Sequence, residues 1–366
     1  LRCPLIRVNQ QSLMNTEKKA IAIKHNWWGR YANPWDSWTE KRMKAAYYLL
    51  TNKPSEEVWP SPSNAELDIN LPLVKPVFGP PFVDLNSDCG VRLTWLGHAS
   101  VLFHLDGANI LCDPIFSSRC VVIGPKRYRP MPCQVEDLPR IHVVVISHNH
   151  FDHLDLPTVR KLSQCFPDII WCIPTGCANL IASTINRGKG RRRPRIWEAV
   201  WWEERTIGDS GVRLIFTPAQ HWSGRNIFFD NDRSLWGSWT FVGPSHRAWF
   251  AGDTGYCEAF RDIGERYGPI DVAAIPIGAY TPRNLMRSQH VNPQEAVQIH
   301  RDICATHSVG VHWGTFHIGR EPYMQPKADL KVALDAVGLT ETDFRTLYHG
   351  QSLCYRRVPT ETLIVE

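Results

Sequence analysis

Six consecutive residues, His148-Asn149-His150-Phe151-Asp152-His153, gather three imidazoles and a carboxylate in one short stretch. They follow residues 141–147, a nearly continuous apolar run that reads as a buried strand. Alternate residues on an extended or turning segment can direct His148 and His150 to one centre, leaving Asp152 and His153 to reach a neighbouring one. Neutral imidazole and carboxylate are ordinary zinc ligands at about 2.0–2.2 Å. Groups this polar are costly to leave unpaired beyond a buried strand. The cluster therefore reads as a metal site rather than a histidine-rich turn.

Three distant residues extend it. His221 closes Thr217-Pro218-Ala219-Gln220-His221 after the strand-like Leu214–Thr217 run, Asp253 follows Trp249-Phe250-Ala251-Gly252, and His312 follows Ser308-Val309-Gly310-Val311. Taken singly, each is more commonly a core or loop residue with a hydrogen-bond partner. With the cluster, they supply enough ligands for two metals. His98, in Trp95-Leu96-Gly97-His98-Ala99, reads equally as support behind a ligand or as a satisfied core histidine. His290, in Gln289-His290-Val291-Asn292-Pro293, taken alone reads as a helix-start or surface histidine.

The elements that must position these residues are short and mixed. Strands are predicted at 91–95, 100–104, 108–112, 141–147, 213–217, 248–251, 272–277 and 308–312. Helices are predicted at 156–165 with Asp155 as N-cap, and at 257–267, 293–302 and 327–337. No internal repeat is visible, and the order fits a sheet-rich layered α/β domain. Residues 1–88 have a different texture and form an expected N-terminal extension to a catalytic domain at 89–366. They carry Trp27, Trp28, Trp35, Trp38 and Trp59, with few β-like runs. Ser37-x-x-Glu40 is a capping-box pattern, predicting a helix from Trp38 to about Thr51. That basic, aromatic helix suits either a membrane interface or an arm packed on the main domain.

The 366 residues are 43% apolar and 21% charged, which describes a globular protein. A net charge of +5 is too weak to imply nucleic acid. The basic run 187–195 lacks the interleaved aromatics that stack bases, and reads as an exposed loop or a contact for anionic lipid. No apolar run reaches the roughly 18 residues of a spanning helix, and no positive-then-apolar signal pattern is present. The 11 cysteines are scattered without a C-x-x-C pair, which suggests a reducing, cytosol-facing compartment.

The ordered set His-x-His-x-Asp-His, lone His, Gly-Asp and final His resembles the metallo-β-lactamase superfamily. That resemblance implies an αββα sandwich with two Zn2+ at the edge of its sheets. It implies His148, His150 and His221 on one zinc, Asp152, His153 and His312 on the other, and Asp253 bridging. Further strings narrow it: Asn33-Pro34-Trp35, Trp95-Leu96-Gly97-His98-Ala99, Asp113-Pro114-Ile115-Phe116-Ser117, Gly124-Pro125-Lys126-Arg127, Leu235-Trp236-Gly237-Ser238-Trp239 and Gly252-Asp253-Thr254-Gly255-Tyr256. With Gln289-His290-Val291, these resemble the N-acyl-phosphatidylethanolamine-hydrolysing phospholipases D, from about Trp28 to Tyr355.

For that family the implied reaction releases N-acylethanolamine and phosphatidic acid by hydroxide attack on phosphorus between two metals. Phe151 and His290, with Gln289 adjacent, are the implied substrate contacts, and Asp152, Asp253 and His290 the implied catalytic groups. Phe151 stands where the resemblance implies a tyrosine, so a phenolic hydroxyl is missing there. The family also implies a peripheral membrane protein on cytosol-facing Golgi or endosomal surfaces, with no nucleic-acid partner, and a homodimer that nothing else in the sequence indicates. Two alternatives stand beside this reading: another hydrolase on the same scaffold, such as a lactonase-like enzyme, and a non-catalytic lipid-binding protein that keeps metal for stability.

Overall fold

The computed structural model describes residues 22–52, 61–78, 90–121, 124–187, 193–226, 229–356 and 362–365. Trp59 and most of the basic run, residues 188–192, lie outside the described residues. The described chain opens with a hairpin, β1 (Lys24–His25) and β2 (Tyr31–Ala32), then helices α1 (Arg42–Thr51) and α2 (Asn64–Asn70). A first sheet follows: β3 (Val91–Gly97), β4 (Ser100–Leu105), β5 (Ala108–Cys112), β6 (Val143–Val145), α3 (Leu156–Cys165), β7 (Ile170–Pro174), α4 (Ala178–Ile185) and β8 (Arg195–Ala199).

The second sheet begins with β9 (Glu204–Ile207), β10 (Val212–Thr217), β11 (Ser238–Val242) and β12 (Arg247–Phe250). It continues through α5 (Ala259–Tyr267), β13 (Ile270–Pro276), α6 (Arg283–Met286), α7 (Pro293–Asp302), β14 (Ala305–Val311), α8 (Gln325–Asp335) and β15 (Phe344–Thr346). Two last strands, β16 (Ser352–Arg356) and β17 (Thr362–Val365), return to the first sheet beside β3.

Both sheets follow one plan. Strands β17-β16-β3-β4-β5 run antiparallel, then β5-β6-β7-β8 parallel; β9-β10-β11-β12 run antiparallel, then β12-β13-β14-β15 parallel. The period of two decides which side chain goes where. In the first sheet Leu93, Trp95, Val101, Phe103, Val143 and Val145 join the core between the sheets. Their neighbours Leu96, Leu102, Val144 and Ile146 pack outward against Val159, Leu162 and Ile181 of α3 and α4. Helices α5, α7 and α8 cover the second sheet through Phe260, Ile263, Val297, Ile299 and Leu334. The result is the expected αββα sandwich. Among the described residues no helix is long and apolar enough to cross a membrane.

Three local expectations are corrected. Helix α1 starts at Arg42 rather than Trp38, and the Ser37–Glu40 capping box does not form. The Ser37 hydroxyl instead donates to Gln220 Oε1, and Glu40 pairs with Arg42. The strand before the cluster is only Val143–Val145, because the chain then bends toward the second sheet and Trp239 Nε1 donates to the Ile146 carbonyl. Asp155 sits at the N-cap of α3 without capping it, since its carboxylate accepts from the Ser117 and Thr158 hydroxyls. The β1–β2 hairpin had no counterpart in the sequence reading. The region before residue 89 also contributes to the main core: Trp35, Leu67 and Leu71 are buried in it, and Trp35 lies 6.0 Å from Trp201.

Candidate metal centre

The cluster occupies the turn after β6, at the carboxyl ends of the parallel strands. Ser147 is held there by Asp113, which follows β5: its N–H donates to Asp113 Oδ1 at 2.7 Å and its hydroxyl to Oδ2 at 2.5 Å. The chain then winds back, with the His153 and Leu154 N–H groups both donating to the His150 carbonyl. That turn brings Asp152 and His153 beside His148 and His150. Gly252, at φ +62°, lets the end of β12 approach Ser147, where a Cβ would meet the Ser147 Cβ at 2.5 Å. The strand ends carry strain: His98, Asp113 and His312 all have positive φ. Non-glycine residues held in that region concentrate at functional sites.

The side chains converge on one centre. His148 Nε2 lies 2.8 Å from His150 Nδ1, which is 3.3 Å from His221 Nε2. Asp152, His153, His312 and His98 form a second group within ligand distance of one another. Asp253 stands between them: Oδ2 is 3.2 Å from His153 Nε2, 3.8 Å from His221 Nε2, 3.8 Å from His290 Nδ1 and 4.0 Å from His148 Nε2. Its Oδ1 is 3.1 Å from His312 Nε2. One carboxylate thus faces five imidazoles.

Electrostatics divide the centre in two. Burial, reinforced by neighbouring histidines, holds His148 well below its ordinary pKa, and burial holds His150, His221 and His290 down at about 3. These rings are neutral, the form that ligates metal. Burial also opposes charge on His153 and His312, but Asp253 and Asp152 outweigh it, raising His153 and bringing His312 up to about 9. Asp152 and Asp253 are correspondingly held well below the usual carboxylate range.

The donor set fits metal ions. Among the described residues, buried atoms without a hydrogen-bond partner include His150 Nε2, His153 Nε2, Asp253 Oδ1, His290 Nδ1 and both nitrogens of His312. Each such atom costs about 1–3 kcal/mol if nothing binds it, and here they crowd one centre. Two nitrogens on a tetrahedral zinc lie about 3.3 Å apart. The His150–His221 pair matches that spacing, and the His148–His150 pair is about half an ångström tighter than the same spacing.

The surrounding residues include some that sequence reasoning missed. Asp113 was noted only as part of a motif, yet its Oδ2 accepts from His153 Nδ1 at 2.6 Å and so fixes that ring. Its place directly after a predicted strand, on the same edge as the cluster, was the available signal. His98 supports Asp152: Nε2 lies 2.9 Å from Asp152 Oδ2, and its carbonyl accepts the His312 N–H at 2.9 Å, joining the two sheets. Gln289 acts through its backbone, whose carbonyl accepts from His221 Nδ1 at 2.9 Å, while its Oε1 accepts from Trp222 Nε1. Phe151 is partly exposed beside the centre, with the Arg225 guanidinium 4.0 Å over its ring. Arg225 also donates to the Asn149 and Leu154 carbonyls, strapping both ends of the ligand turn. Within the cluster 148–153 the partly exposed residues are His150, Phe151 and Asp152, with Trp222 and Arg225 beside them, so the centre opens on that side.

Comparison with known proteins agrees with this geometry. Residues 108–313, more than half of the chain, match the model of the Beta-lactamase superfamily domain. The chain is 39% identical over 314 residues to the N-acyl-phosphatidylethanolamine-hydrolyzing phospholipase D 1 of Caenorhabditis elegans, covering 83% of this chain and 86% of that protein. It is 30% identical over 353 residues to the mitochondrial N-acyl-phosphatidylethanolamine-hydrolyzing phospholipase D of Saccharomyces cerevisiae, covering 86% of this chain and 73% of that protein. The isothiocyanate hydrolase from Delia radicum gut bacteria shares the fold, with a TM-score of 0.55 at 17% identity over 73% of this chain and all of that one. Family match, identity and the convergent His/Asp groups agree: the chain belongs to the metallo-β-lactamase superfamily and is a metal-dependent hydrolase close to the N-acyl-phosphatidylethanolamine-hydrolysing phospholipases D.

Proposed function

We propose that this hydrolase cleaves N-acyl-phosphatidylethanolamine into N-acylethanolamine and phosphatidic acid, with two zinc ions held by the ligands above. The observation that carries the two-metal reading is Asp253, one carboxylate facing imidazoles from both groups. His148, His150 and His221 would hold one ion, Asp152, His153 and His312 the other, and Asp253 both. Such ions, when bound, make water nucleophilic at neutral pH and polarise a phosphoryl oxygen.

The chain's own groups do the positioning. His290 Nδ1 is buried, neutral and without a hydrogen-bond partner, so it is available to a phosphoryl oxygen. Asp152, whose carboxylate is tied to His98, directs the attacking water. Phe151 packs on the lipid without the hydrogen bond a tyrosine would supply, and Arg225 over its ring brings positive charge near the phosphate. Water's oxygen ends on phosphorus, and the bond to the N-acylethanolamine oxygen breaks as that oxygen takes up a proton. A membrane phospholipid as substrate makes the protein a peripheral membrane enzyme, and we place it on cytosol-facing Golgi or endosomal surfaces as a homodimer.

The test is incubation with N-acyl-phosphatidylethanolamine, with plain phosphatidylethanolamine and phosphatidylcholine as controls, with and without chelator. Phosphatidic acid should appear only from the N-acylated lipid and only without chelator. Ring opening of a lactone with no phosphodiester cleavage would overturn the reading in favour of a lactonase-like enzyme.

A further inference from the structure

The β1–β2 hairpin presents two adjacent tryptophans to solvent. Trp27 is 94% exposed and Trp28 79%, the two highest values among the exposed large apolar side chains of the described residues. Single apolar residues on a surface are ordinary, but paired aromatics at a loop tip are not. The tip is held in shape by its own bonds. Asn26 Oδ1 accepts the Trp28 and Arg30 N–H groups at 3.0 Å, the Asn26 N–H donates to the Arg30 carbonyl at 2.7 Å, and the Gly29 N–H donates to the Asn26 carbonyl at 3.0 Å. Little ordering is left to be lost on docking, which favours binding through this tip.

The hairpin is fastened to the loop that begins at the metal-facing His221. The Tyr31 N–H donates to the Asp232 carbonyl, Arg30 to the Asn231 carbonyl and the Asn33 side chain to the His221 carbonyl, at 2.9, 3.2 and 2.7 Å. Other exposed apolar groups hang from the same loop. Phe229, 69% exposed, lies within it. Arg42 at the start of α1 is bound to Asp232 at 2.6 Å, and α1 exposes Met43, Tyr47 and Leu50 at the spacing of one helix face. The charge is also one-signed at the tip: residues 24–32 contain Lys24 and Arg30 and no acid. Tryptophan rings beside cations suit the headgroup region of an anionic bilayer, where the ring is half apolar and the N–H still finds water.

We infer that the Trp27–Trp28 hairpin is an interfacial anchor that docks the His221 side of the metal centre onto a lipid surface bearing anionic headgroups. This rests on the reading of the substrate as a membrane phospholipid, and its test is separable from that reading. Full-length protein is floated with phosphatidylcholine vesicles, with and without phosphatidylserine, beside the W27S/W28S double variant. The wild type should float, more strongly with phosphatidylserine, and the variant should partition at least about tenfold less. Its melting temperature and its cleavage of a short-chain phosphodiester below the micelle concentration should be unchanged. Quenching of tryptophan fluorescence by brominated lipid should fall in the variant. Flotation lost in the variant supports the anchor even where no phospholipid is cleaved. Flotation equal to wild type overturns it even where phospholipid is cleaved. A change of mass in solution with flotation unchanged also overturns it, since the tip would then join copies of the chain.

Discussion

The first sheet delivers His148, His150, Asp152 and His153 from one turn, whereas the second delivers His221, Asp253 and His312 from three separate strand ends. The difference goes beyond bookkeeping of position. The first group is set by local chain geometry: a bend after β6, a back-bonded turn at His150 and straps from Arg225. The second group is set by sheet order, because only the stacking of β10, β12 and β14 against the first sheet brings the three residues to one edge. A turn can be lost by a local change. A convergence across sheets is lost only if the sandwich moves.

The largest predicted effects come from removing one member of each group. On the two-zinc proposal, H150A and D253A should each cut hydrolysis by at least about a thousandfold, and each should lower the metal content below the two ions proposed per chain. D253A should remove more metal than H150A, because Asp253 faces both groups. Metal analysis beside a phosphatidic acid assay checks this. Retention of two ions by D253A would show that the two sheets hold their metals independently.

A smaller loss should follow from changing what holds a ligand rather than the ligand. His153, from the first sheet, is fixed by a side chain, since its Nδ1 donates to the Asp113 carboxylate. Burial raises the Asp113 pKa, opposed by His153 and by the Ser147 hydroxyl and N–H that face it. D113N keeps the size but not the charge, so it should cost roughly 10–100-fold in metal affinity or activity. Zinc titration against a competing chelator measures it.

Each sheet also buries a histidine away from the ligands. His349 stacks on Trp95 of β3, and His300 Nδ1 lies 2.8 Å from Ser308 Oγ of β14. Burial is the main cause holding them at about 3 and about 4. Both values are depressed, so the folded state keeps the rings neutral while the unfolded chain takes up protons below about pH 6.5. Their stabilisation is complete above that pH and is lost progressively toward about pH 4 for His300 and about pH 3 for His349. The urea midpoint of metal-saturated protein should therefore fall between pH 7 and 5, and H300Q or H349Q should flatten the profile.

The same contrast explains what could be read in advance. The cluster was legible because its ligands share one turn, and Pro293–Asp302 and Leu156–Cys165 matched their helices because proline and apolar spacing mark them locally. The cluster's partners His221, Asp253 and His312 were legible only as strand-end residues, and their proposed assignment came through resemblance. His98 was legible only as one of two alternatives, support or core, while the hold of Asp113 on His153 and the strap from Arg225 were not read, because each depends on residues from other strands or loops. The Ser37–Glu40 pattern misled for the same reason: Ser37 found a better partner in Gln220, 183 positions away.

The smallest effect should come from Gln289, which resemblance placed beside the substrate. Its link to His221 runs through the main-chain carbonyl, which any residue provides. Q289A removes the side-chain oxygen that accepts from Trp222 Nε1 at 2.7 Å, with the longer contacts of its amide nitrogen to the Leu285 carbonyl and Met286 Sδ, and Trp222 packs edge-on against His150 at 4.1 Å. One hydrogen bond of about 1 kcal/mol corresponds to roughly a fivefold change. Metal content should therefore stay at the wild-type level while lipid turnover falls by about fivefold. If Q289A loses metal as D113N does, then the second sheet also holds its ligand through side chains, and the contrast between the two sheets fails at that point.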